Sequence, residues 1–143
     1  MPQTANKQRS WEVWLSNGES YEKAVCGRAG KPSIFAPAIQ YNLIALALEG
    51  YVMAMVSYHG SLPENHTFTD LIGAWERVAP LDQSIKATIL KYEDMQSICS
   101  LDNYQRHEPT SSDVMELRAA VAKIGMIVKN TCRLEQEGTG CKP

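Results

Sequence analysis

The stretch IQYNLIALALEGYVMAMVSYHG, residues 39 to 60, constrains the fold of this chain more than any other. It is almost wholly apolar, yet it carries one carboxylate at its centre, Glu49, and ends beside a histidine, His59. A helix that is apolar all round must be covered on several sides, by neighbouring helices or by lipid. A membrane span needs about 20 consecutive, mostly apolar residues, and residues 34–58 have that length. They also contain Pro37, Gln40, Asn42, Glu49, Gly50 and Ser57. A carboxylate at the centre of a lone span costs about 2.5 to 3.5 kcal/mol on insertion scales. The stretch therefore reads as a buried core helix of a soluble protein, with no membrane contact and a cytoplasmic location expected.

Length and charge narrow the possibilities. The chain has 143 residues, enough for one domain around one core. Its net charge of −2 gives no global field towards nucleic acid or acidic lipid, though it leaves room for a local basic patch. Cys26, Cys99, Cys132 and Cys141 lie far apart without a Cys-x-x-Cys pair, which fits neither a zinc site nor a dense disulfide framework. Cys132 and Cys141 could pair in an oxidising compartment; free thiols in a reducing cytoplasm are the expectation. Cys26 and Cys99 sit in apolar helical surroundings and read as packed thiols. The polar N-terminus MPQTANKQRSWEVW lacks the apolar centre of a secretory signal.

Along the chain, helical signals recur and strand signals are scarce. A first helix is expected within Ser10–Arg28, interrupted or bent near Asn17-Gly18, with GRAGKP as its end. The central helix starts near Ser33 and runs to about His59. Thr67 with Asp70 is a helix-start pattern, and Pro80 closes the helix that follows. Asp82 caps the next helix, where Ile85, Ile89 and Tyr92 repeat at helical spacing. Thr110 with Asp113 starts the last, whose Val114, Leu117, Val121, Ile124 and Val128 alternate by three and four. Trp11, Trp14 and Trp75 read as core anchors. The expected architecture is all-α, an up-and-down bundle of four to five helices over residues 10–131, with flexible ends at 1–9 and 132–143.

Candidate chemistry is sparse. No Glu-x-x-His occurs, and no phosphate loop: CGRAGKP lacks the Gly-Lys-Ser/Thr ending. No cofactor, metal or catalytic residue is therefore assigned. Asn42 and Glu49, seven residues apart, share a stripe that must meet water, a partner group or another subunit, because a buried unpaired carboxylate is costly. Arg106 and His107 precede the N-terminus of the last helix, where backbone N–H groups favour an anion.

Three stretches in order resemble a known family. ALALEGYVMAMVSYHG is similar to the second helix of HEPN domains, LPENHTFTDL to the entry of the following helix, and RHEPTSSDVMELRAAVAKI to the loop and cap before the last. The resemblance covers most of residues 10–130. It implies a helical bundle that dimerises and associates with nucleotides or RNA, often beside a partner nucleotidyltransferase in toxin–antitoxin or defence systems. Some HEPN domains are metal-independent ribonucleases carrying an Arg followed a few residues later by a His. Here His107 follows Arg106 directly and no histidine comes after it.

The reading is a non-catalytic HEPN-like module, a homodimer, with Asn42, Glu49, His66, Arg106 and His107 as ligand-binding candidates. The alternatives are a divergent ribonuclease using His66 or His107, and a helical adaptor that binds only protein. A concave surface gathering Arg106, Arg118 and Lys123 would favour the first reading; scatter would favour the adaptor.

Overall fold

In the computed structural model the residues described are 10–26, 34–61, 66–93 and 109–139, the last six of these for backbone alone. They form five helices and, among the described residues, no strand: α1 (Ser10–Val25), α2 (Pro37–Tyr58), α3 (Phe68–Glu76), α4 (Gln83–Lys91) and α5 (Ser111–Thr139). The fold is all-α. Arg106, His107, Cys99 and Cys141 lie outside the described residues.

Local chemistry sets the helix ends. Thr67 Oγ1 accepts the Asp70 N–H at 3.1 Å, and Asp82 Oδ1 accepts those of Ser84 and Ile85 at 2.7 and 3.2 Å. Thr110 and Asp113 exchange both bonds of a capping box, at 3.0 and 3.1 Å. Pro37 opens α2, where its missing N–H and fixed φ cost nothing. At the other end Ser61 N donates to Val56 O and Gly60 N to Ser57 O, the two bonds of a Schellman motif. Gly60 has φ 80, which an L side chain rarely adopts.

α2 is the axis of the molecule. Ile44, Leu48, Tyr51, Val52, Met55 and Val56 are buried, each worth about 1.5–3 kcal/mol relative to exposure. α1, α3 and α5 of the same chain cover it, so one chain meets most of the cover that its all-round apolarity demands. α2 is long and apolar enough to cross a membrane, yet 61% of its most apolar window is buried inside the protein. Trp75 is buried on α3, its indole N–H donating to Pro80 O at 3.0 Å; Trp11 and Trp14 are half-buried against the core.

Two expectations change. Gly18 does not bend α1, which continues through it to Val25. The glycine is there for packing: a Cβ on Gly50 would fall 2.6 Å from Gly18 N, so the two helices cross almost backbone to backbone. The helices also do not alternate strictly up and down. Trp11 meets Tyr58 and Gly18 meets Gly50, so α1 and α2 are antiparallel. His66 lies at Glu49 and Phe68 at Tyr41, so α3 starts beside the first half of α2. α3 and α4 then form an antiparallel hairpin held by Thr69–Glu93 at one end and Lys86–Glu76 at the other. α5 runs antiparallel to α1, since Arg133 reaches Glu19 while Arg118 reaches Cys26. α5 is helical to Thr139.

Candidate functional site

Tyr51 organises the described surface. Its ring wedges between α1 and α5: a Cβ on Gly18 would lie 2.7 Å from Cδ1, and one on Gly125 would lie 2.7 Å from Cε2 and Cζ. The ring is buried and its hydroxyl donates to Glu22 of α1. Burial first, and then the Glu22 carboxylate, push the phenol far above the usual tyrosine range. It stays neutral and donates. The Lys129 ammonium lies 5.8 Å from the ring centroid, within cation–π range.

Beside this wedge the two helices part into an open groove of about 470 Å³, lined by Ser16, Glu19, Ser20, Glu22, Lys23, Cys26 and Lys129. Arg133 and Arg118 bond two residues of this lining, Glu19 and Cys26. Arg133 Nη2 donates to both Glu19 oxygens at 3.1 and 3.0 Å, and Lys129 Nζ lies 3.9 Å from the same carboxylate. Arg118 Nη2 donates to Cys26 Sγ at 2.9 Å. The lining itself is balanced, Lys23 and Lys129 against Glu19 and Glu22, and the guanidinium groups bonded to Cys26 and Glu19 add two further cations beside it. These ion pairs are half-exposed, and such pairs contribute about 0–1 kcal/mol. An incoming anion can displace them cheaply.

The residues singled out in the sequence fall elsewhere. Glu49 and His66 meet: the carboxylate holds the imidazole at Nδ1, with side-chain exposures of 23% and 44%. The pair ties His66 to α2, so Glu49 is neither buried nor alone. Asn42 is exposed two turns along the same helix, outside this contact. His59 turns back on its own helix, Nδ1 lying 2.9 Å from Met55 O. Arg106 and His107 lie outside the described residues. Arg118 and Lys123 do not gather: Arg118 reaches α1, whereas the Lys123 charge is felt by Asp82 at the start of α4. Cys26, expected to be packed, is exposed one residue beyond α1; Cys132 is the buried thiol, and burial pushes it up to about 11. Among the described residues no cluster of His, Cys, Asp or Glu could hold a metal ion.

Sequence reasoning missed the groove because its ion pairs join residues more than a hundred positions apart. One signal was available. A tyrosine on an otherwise apolar helix needs a partner for its hydroxyl, and that partner is Glu22. The chain matches no protein-family model, no curated protein and no solved structure.

Proposed function

We propose that this helical bundle is a non-catalytic binding module whose α1–α5 groove takes a phosphate-bearing ligand of the nucleotide or RNA class. The observation that carries the reading is the convergence of Lys129 and Arg133 on Glu19 of the groove wall, with Lys23 in the same lining. Arg133 offers a planar fork of donors suited to phosphate, and Lys129 a mobile point charge. The HEPN-like stretches of the sequence support the same ligand class and a nucleotidyltransferase or second copy as partner. The ligand, however, is expected at Lys129 and Arg133 rather than at Asn42 or Glu49.

The adaptor reading is favoured by a different observation, the divergence of Arg118 and Lys123 across α5. One titration separates the two. Fluorescent adenine nucleotide and a short single-stranded RNA are titrated at low salt against wild type and Lys129→Ala/Arg133→Ala. Each charge-assisted bond to phosphate is worth about 1.5–3 kcal/mol, so the double variant should bind at least about tenfold more weakly. Added salt should weaken the wild type as well. Equal affinities, or no binding by either protein, would leave the adaptor reading.

A further inference from the structure

The outward side of α5, opposite its buried row Val114, Leu117, Val121, Ile124 and Val128, carries a narrow apolar line among polar residues. Met115 and Met126 are 68% and 61% exposed, and between them lie Ala119 and Ala122 in the same line, at spacings of four, three and four. Ile127 is exposed beside them.

The spacing is its own mirror image. Turn a second α5 antiparallel about a point between Ala120 and Val121, and Met115 meets the partner's Met126 while Ala119 meets the partner's Ala122. Spacings of four and three are those of a coiled-coil seam, and the alanines at its centre let two helices approach to about 8 Å. On one flank of the line lie Glu116 and Lys123, both exposed. In the antiparallel pairing Glu116 comes within about 3 Å of axial register with the partner's Lys123, by a rise of 1.5 Å per residue. The two-fold axis repeats that pair, so two opposite charges meet twice. Glu116 already accepts Tyr92 and Lys91 on Oε1, which fixes its stem.

We propose that this face docks a second copy of the chain through an antiparallel, two-fold α5–α5 seam centred between Ala119 and Ala122. The occupant is self rather than a foreign protein because both the apolar spacing and the flanking charges are self-complementary. The seam is about three turns long, which places it at the low end of interface sizes, below about 1,200 Å² in total. Association is therefore weak and reversible. The surface is distinct from the groove, so it stands or falls apart from the ligand reading.

The test is sedimentation velocity of the full chain from micromolar to millimolar concentration. Wild type should show a mass that rises with concentration towards a dimer. Ala119→Glu places two like charges at the centre of the seam and should abolish the rise. Lys123→Glu faces the partner's Glu116 and should weaken association about tenfold, and Glu116→Lys added to it should restore association. Circular dichroism checks that each variant is folded. A wild-type monomer throughout, an Ala119→Glu variant that still dimerises, or a charge swap without rescue would overturn the proposal.

Discussion

Gly18 and Tyr51 are so close that a Cβ on the glycine would fall 2.7 Å from the ring. That contact, with Gly50 on the backbone of α1, sets how deeply α1 seats on α2. Gly18→Ala should destabilise by about 1–3 kcal/mol through overpacking, less the gain of up to about 1 kcal/mol in helix propensity. The net loss should lower Tm by several degrees. Gly50→Ala should cost more, since the atoms it meets are Gly18 N and Cα and Trp14 O, which cannot rotate away. Gly73 has nothing within 4 Å of a built Cβ, so Gly73→Ala should stabilise by about 0.5–1 kcal/mol. Scanning calorimetry of the three variants checks the order; a Gly50→Ala variant as stable as wild type would contradict it.

Tyr51 makes stability depend on alkaline pH. Its folded pKa lies far above the usual range because of burial and Glu22, whereas an unfolded tyrosine titrates near about 10. The unfolded chain therefore loses a proton that the folded chain keeps. Stability is fully present below about pH 10 and falls as pH rises above it. Tyr51→Phe should cost about 1 kcal/mol at neutral pH for the lost hydrogen bond and should flatten the alkaline decline. Denaturant midpoints measured from neutral to strongly alkaline pH provide the check, and parallel curves for the two proteins would count against it.

The two described thiols should react very differently. Cys26 is exposed, while Cys132 is buried with its thiol pushed up to about 11, leaving almost no thiolate at neutral pH. Alkylation with iodoacetamide followed by peptide mass mapping should label Cys26 and spare Cys132 until denaturant is added. Comparable labelling of both in the native protein would show that α5 does not seal Cys132.

Where a signal was local, the sequence revealed it. Thr67 with Asp70, Asp82, and Thr110 with Asp113 are caps whose partners lie within three residues, and all three form. The three-and-four spacing of α5 likewise names the residues that become its buried row. Gly18 was misread because a glycine beside Asn17 weakens a helix locally, while its use here is tertiary: contact with Gly50 and Tyr51. Strict alternation of helix direction failed because nothing local announces that α3 starts beside the first half of α2.

The site was less legible for the same reason. Glu49 and His66 were each singled out, but their pairing depends on that placement. Glu19, Lys129 and Arg133 looked like ordinary surface charges until the fold brought them together. The dimer implied by the family resemblance is not demanded by the apolar girth of α2, which α1, α3 and α5 largely cover within one chain. The exposed methionines of α5 offer a different surface for it.

The most direct test of the groove is a chemical-shift titration of isotope-labelled protein with adenine nucleotide and short RNA at low salt. The account predicts shifts that saturate and cluster on residues 16–26, at the end of α1 and just beyond it, and on 118–133 of α5, the groove lining and the residues bonded to it. Lys129→Ala/Arg133→Ala should erase most of them. Absent shifts, or shifts confined to the flank of α2 around Asn42, Glu49 and His66, would contradict it.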